Sequence, residues 1–85
     1  MKHATAEALA GLEGLLASLR ALPGLRERGT GVFYRRSRAF LHFHEHDGRV
    51  YADLRLSGDD FDRHPATTRA EQRALLRLIR AGISG

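Results

Sequence analysis

The sequence contains no cysteine and no tryptophan, and aromatic residues make up only 7% of it. The missing cysteines exclude disulfides, thiolate metal sites and thiol nucleophiles. With so few aromatic residues, each of the four phenylalanines is expected to matter for packing or for a partner. No apolar run approaches the roughly 18 residues of a membrane span. We therefore expect no contact with a membrane, and the cytosol as the default location.

A chain of 85 residues is long enough for one domain only, here residues 1–85. A domain of this size buries about 60–65% of the surface that its unfolded chain exposes, so its core is thin. Without disulfides such a domain depends on a well-packed core or on a partner chain. Self-association, most simply as a homodimer, is therefore an expectation. The net charge of +4 permits an anionic partner without requiring one.

The hydrophobic period divides the chain into the order α-β-β-β-α. Leucines at helical spacing predict an amphipathic helix over residues 5–22, with Thr5 as its N-cap and a stop at Pro23-Gly24. A period of two predicts strands over residues 31–36, 38–46 and 49–56, and residues 25–31 and 59–67 are predicted loops. A capping box from Thr68 to Glu71 begins the last helix. Its predicted apolar face comprises Leu75, Leu76, Leu78, Ile79 and Ile83.

These elements predict an α+β two-layer sandwich, with a three-stranded antiparallel meander that carries both helices on one face. Asp47-Gly48 is a strong signal for a two-residue hairpin turn. If it is the turn, Phe43 lies opposite Ala52 and Leu41 opposite Leu54, which makes one face of the hairpin apolar. The other face, here named the His-rich face, then holds Phe40, His42, His44, His46, Tyr51, Asp53 and Arg55.

Alternation explains why three of the five histidines occupy every second position, but not why they are histidines. The His-rich face is open to three interpretations. Antiparallel sheets commonly leave one face in solvent. A second copy or another protein can cover the face, since aromatic residues and arginine are enriched in interfaces. Finally, two histidines at i and i+2 can reach one Zn²⁺, or another divalent transition metal, with a carboxylate as third ligand; the candidate ligands are His42, His44 and Asp53.

Catalysis is less favoured than metal binding. His42 and Asp53 resemble an imidazole oriented by a carboxylate, but no serine is placed to complete a triad, because Ser37 and Ser57 lie at strand ends. General acid–base chemistry by a histidine is possible in principle. A flat sheet face excludes water poorly, however, and a monomer of this size has little material for a pocket.

Two sets of arginines make nucleic acid or another polyanion a weaker alternative partner. The first set comprises Arg35, Arg36 and Arg38. It is consistent with a charged turn that protects a sheet edge, or with a site that binds phosphates. The second set, here named the arginine stripe, follows one face of the last helix and comprises Arg69, Arg73, Arg77 and Arg80. The predicted acidic loop with Asp59, Asp60 and Asp62 is the simplest source of counter-charge for the stripe.

The leading functional prediction is a small non-catalytic interaction module that uses the His-rich face, as a homodimer. Metal binding, or a metal-dependent small enzyme, is the alternative. Three histidines on one surface gain positive charge near pH 6, so a dimer through this face is expected to loosen on acidification.

Overall fold

The computed structural model describes residues 2–84, with side chains from residue 4 onward. These residues form an α+β fold with three helices and an antiparallel sheet. In chain order the elements are β1 (Lys2–His3), α1 (Ala6–Ala10), α2 (Glu13–Arg20), β2 (Leu25–Glu27), β3 (Phe33–Arg35), β4 (Arg38–His46), β5 (Arg49–Leu54), β6 (Asp62–Pro65) and α3 (Arg69–Ser84).

The sheet has five main strands in the order β2-β3-β4-β5-β6, so the prediction of three strands was wrong. The two-residue β1 adds a short pairing to β4, with His3 opposite His44. Besides β1, the prediction missed β2 and β6, which lie at the two ends of the main strand order in segments predicted as loops. β2 has three residues, and β6 carries charged residues and Pro65. Proline is tolerated on an edge strand because its missing N–H removes no ladder hydrogen bond there.

The central hairpin has the predicted turn and the predicted register. Asp47 and Gly48 both have positive φ, at 51° and 75°, as a type I′ turn requires. Leu41 pairs with Leu54, and Phe43 pairs with Ala52. These four side chains are 0–1% exposed, so the apolar face of the hairpin is part of the core.

A β-bulge interrupts the pairing of β3 with β4. Phe33 pairs with Leu41, but the next residue, Tyr34, pairs with Ala39. Phe40 is therefore the extra residue of the bulge, a feature that can re-aim a side chain. Phe40 is only 3% exposed and belongs to the core cluster, so it offers almost no surface to a partner.

The predicted N-terminal helix is two helices. Thr5 caps α1 as expected, since its side-chain oxygen accepts a hydrogen bond from the backbone N–H of Ala8. The helix ends at Gly11, and α2 begins after Leu12. Glycine favours such a break because it weakens a helix by about 1 kcal/mol relative to alanine. The leucines at 12, 15, 16 and 19 are buried, as their spacing indicated.

Both hydrogen bonds of the predicted capping box are present at the start of α3. The Glu71 backbone N–H donates to the Thr68 hydroxyl over 3.1 Å, and the Thr68 N–H donates to the Glu71 carboxylate over 3.0 Å. The Thr68 N–H bond is the main cause of a lowered pKa of Glu71. Leu75 and Ile79 are buried, as predicted for the apolar face of this helix. Leu78 was predicted on the same face but is 38% exposed.

One core cluster joins α2, the central strands and α3. No polar or charged residue is fully buried among those whose side chains are described. Within residues 2–84, no helix has the length and apolar character needed to cross a membrane.

Candidate functional site

The site lies on the His-rich face and is built by the register of β4 and β5. His42 pairs with Asp53, and His44 pairs with Tyr51. His44 is therefore the diagonal neighbour of Asp53, within reach of its side chain. Nε2 of His44 forms a short hydrogen bond with Oδ2 of Asp53, and Nε2 of His42 lies 4.0 Å from the same oxygen. One carboxylate oxygen thus faces both imidazoles.

We name His42, His44 and Asp53 the three-ligand cluster. One ligand atom from each residue lies within 4.8 Å of the others. Their side chains are 30%, 15% and 15% exposed, in that order, so the cluster is half-buried. A half-buried carboxylate interacts more strongly with nearby charge than a fully solvated one, because the local dielectric is lower.

The cluster brings together two imidazoles and one carboxylate, which are ligand types that a divalent transition metal takes. Zinc binds imidazole nitrogen and carboxylate oxygen at about 2.0–2.2 Å, so ligand atoms around a tetrahedral ion are separated by about 3.3–3.5 Å. Nε2 of His44 and Oδ2 of Asp53 are closer together than this, whereas other ligand atoms of the cluster are farther apart. Three protein ligands would leave a coordination position open.

Arg63 of β6 is a fourth participant that the sequence analysis missed. It pairs with Asp53 in the register, and its Nε lies 3.4 Å from Asp53 Oδ1. Asp53 therefore faces the histidines with one oxygen and a permanent cation with the other. The alternation of Phe61, Arg63 and Pro65 is consistent with a strand, but Pro65 and the neighbouring acidic residues favoured the prediction of a loop.

Phe61 also reaches this face. The ring centroids of His42 and Phe61 are 5.2 Å apart, and the rings meet edge to face at 66°. The Arg55 guanidinium lies 4.6 Å from the Phe61 ring centroid and also donates a hydrogen bond to the Ala39 carbonyl. The rings of His42 and His44 are in edge contact at 4.8 Å. An aromatic and cationic wall therefore borders the cluster on the β6 side.

Two further predicted residues of the His-rich face, His46 and Tyr51, are not members of the cluster. The side chain of His46 is 54% exposed, and its Nε2 lies 3.4 Å from Oδ2 of Asp47 in the turn. Tyr51 is half-buried between His44 and Pro65 in the register.

Five of the seven predicted polyanion residues line two separate depressions. Arg35, Arg36 and Arg38 line one beside Arg55. From the arginine stripe, Arg69 and Arg73 line a groove between α2 and α3. Arg77 and Arg80 are exposed. The acidic loop pairs elsewhere than predicted, since Asp59 forms an ion pair with Arg38 over 2.9 Å. Among residues 4–84, no carboxylate lies within 4.0 Å of an arginine of the stripe.

No known protein-family model matches this chain, and neither a curated protein nor a solved structure is significantly similar to it.

Proposed function

We propose that this chain is a small, non-catalytic binding module whose three-ligand cluster holds a divalent transition metal, with zinc as the first candidate. The observation that carries the proposal is the convergence of His42, His44 and Asp53 from two strands, with ligand atoms within 4.8 Å of one another. Two imidazoles and one carboxylate are ligands that zinc, iron and copper accept.

The environment supports the assignment. The carboxylate of Asp53 can keep its contact with Arg63 through one oxygen while the other binds the ion. Because the Arg63 side chain is 52% exposed, its guanidinium competes only weakly with an ion for the carboxylate. The proposal retains the two-layer arrangement, in which the helices cover the apolar face and leave the His-rich face open. The shared core of α2, α3 and the central strands supports it.

Zinc titration by calorimetry tests the proposal. We expect one saturable site, and we expect His42→Ala or His44→Ala to weaken binding by about a hundredfold or more, since loss of an outer partner alone costs 10–100-fold. The matched controls are His46→Ala and His64→Ala, which remove a histidine outside the cluster and are expected to leave the affinity unchanged. Equal losses from His46→Ala and His44→Ala, or no micromolar binding by the native chain, would refute the site.

A second candidate function is self-association through the His-rich face. The stacking of Arg55 on Phe61, beside His42, favours it, because arginine and aromatic side chains are enriched in interfaces. Sedimentation at high micromolar concentration should show a dimer near pH 8 that loosens by roughly pH 5.5, because acidification adds positive charge to both copies. A clean monomer under both conditions would remove this function and leave the metal proposal intact.

A further inference from the structure

A pocket with a volume of about 420 Å³ lies at the end of the sheet formed by β2 and β3. Its lining includes three arginines and two hydroxyl side chains, and no acidic residue. The residues that matter here are Arg26, Arg28, Tyr34, Arg36 and Ser37, which we name the basic pocket. The basic pocket shares no residue with the three-ligand cluster.

Strand alternation places two of the arginines together. In the segment Arg26-Glu27-Arg28 the side chains alternate, so both arginines take one face and Glu27 takes the other. Arg26 pairs with Tyr34 in the register, and the Arg28 guanidinium lies 5.2 Å from the Tyr34 ring centroid. The tyrosine ring therefore holds Arg28 beside Arg26 in the pocket.

The one acid between these arginines is engaged elsewhere. Glu27 accepts hydrogen bonds from Arg20 over 2.5 and 2.9 Å and from the Gly31 backbone N–H over 2.8 Å. Within residues 4–84, no carboxylate lies within 4.0 Å of Arg26, Arg28 or Arg36. Three like charges that line one concavity without a counter-charge repel one another. Because no described carboxylate neutralises these three charges, the pocket favours an anion from solution.

The third arginine, Arg36, lies in a turn whose residue types disfavour the backbone conformation that the turn adopts. Arg36 and Ser37 are the central residues between β3 and β4, and both have positive φ, at 53° and 66°. Such a turn prefers Asn-Gly or Asp-Gly, because a left-handed conformation costs a residue with a Cβ about 1–2 kcal/mol. Both side chains line the basic pocket.

We propose that the basic pocket binds a small organic phosphate ester of the size of a nucleoside diphosphate. Guanidinium groups bind phosphate oxygens through paired hydrogen bonds, and the hydroxyls of Tyr34 and Ser37 add donors. The volume lies within the range of about 300–1,000 Å³ that small-molecule sites occupy, and exceeds what a single inorganic phosphate fills.

Calorimetry with ADP, inorganic pyrophosphate and a short single-stranded oligonucleotide tests the proposal. We expect ADP and pyrophosphate to bind, and Arg28→Gln or Arg36→Gln to weaken binding by about tenfold to a hundredfold, as expected for loss of a charged hydrogen bond. Arg80→Gln on α3 is the matched control and should change nothing. An unchanged thermal midpoint shows that the variants are folded.

Two results would overturn the proposal: no binding of ADP or pyrophosphate at millimolar concentration, or binding of the oligonucleotide alone that Arg80→Gln weakens as much as Arg28→Gln. The second result would indicate a diffuse polyanion surface. If a variant fails to fold, NMR of the native chain with pyrophosphate still tests the proposal. Pyrophosphate should then shift the side-chain Nε resonances of Arg26, Arg28 and Arg36 but not that of Arg77, and the reverse pattern counts against the pocket.

Discussion

The two faces of the β4–β5 hairpin share the same strands and the same turn, yet they differ in what determines their residues. On the apolar face, Leu41, Phe43 and their partners are 0–1% exposed, so burial alone requires large apolar side chains. On the His-rich face, His42, His44 and Asp53 are 15–30% exposed and contact one another through polar atoms. Solvation would be satisfied there by lysine, glutamate or threonine. The choice of histidine and aspartate is therefore where function is to be sought.

The largest expected effect is on the apolar face. Phe43→Ala should lower the free energy of unfolding by about 3–5 kcal/mol, because it leaves a cavity at a fully buried site. Chemical denaturation measures this loss. His46→Ala on the same strand should cost less than about 0.5 kcal/mol. If Phe43→Ala does not fold, Phe43→Leu should still lose more than His46→Ala, and similar losses on the two faces would contradict the comparison.

The turn that orients both faces should have the next largest effect. Gly48→Ala is expected to cost about 1–2 kcal/mol, because Gly48 has a φ of 75° that a residue with a Cβ disfavours. Nothing lies within 4 Å of the added Cβ, so steric contact contributes nothing to the loss. Asp47→Asn is the matched variant, since asparagine tolerates the same conformation, and it should leave the unfolding midpoint unchanged.

A third test concerns Glu27, a carboxylate outside the His-rich face that is paired with Arg20. The hydrogen bonds from Arg20 hold the pKa of Glu27 below its usual range. A lowered pKa in the folded state adds stability above the unfolded pKa, near 4.3, and this stability is lost as the pH falls through the folded value. The native chain should therefore lose more stability than Glu27→Gln between about pH 5 and 3. Parallel curves in acid denaturation would contradict this role of Glu27.

The smallest effect concerns the balance of cations around Asp53. Arg63→Gln removes a guanidinium that is 52% exposed and 3.4 Å from Oδ1 of Asp53. Because an exposed ion pair is worth about 0.2–1 kcal/mol, zinc affinity should rise by no more than about fivefold. Calorimetry checks this, with Arg55→Gln as the control on the same face. A large loss of affinity would mean that Arg63 positions Asp53 and does not compete with the ion.

The central hairpin could be predicted from the sequence because two independent signals agree there. The alternation of Leu41 and Phe43 with histidines sets the faces, and Asp47-Gly48 sets the register. The missed strands β2 and β6 are short or contain proline, and they form through pairing to β3 and β5, which no local pattern shows. The break at Gly11 was missed because leucine spacing continues through it.

The candidate site was predicted in its residues but not in its contacts. The sequence placed Asp53 opposite His42, which is correct in the register. The closer contact is with His44, because the side chains reach diagonally across the strands. Phe61 and Arg63 lay outside the prediction because β6 did. The bulge at Phe40 depends on the pairing with β3 and could not be read from alternation alone.

The most direct test of the metal proposal is to follow the imidazole nitrogens by NMR during a zinc titration. We expect the Nε2 resonances of His42 and His44 to change together and to saturate at the same amount of zinc, because these are the atoms that face Asp53 Oδ2. The resonances of His46 and His64 should stay in place. Changes confined to His46, or no change at any histidine, would contradict the claim that the His-rich face holds a metal.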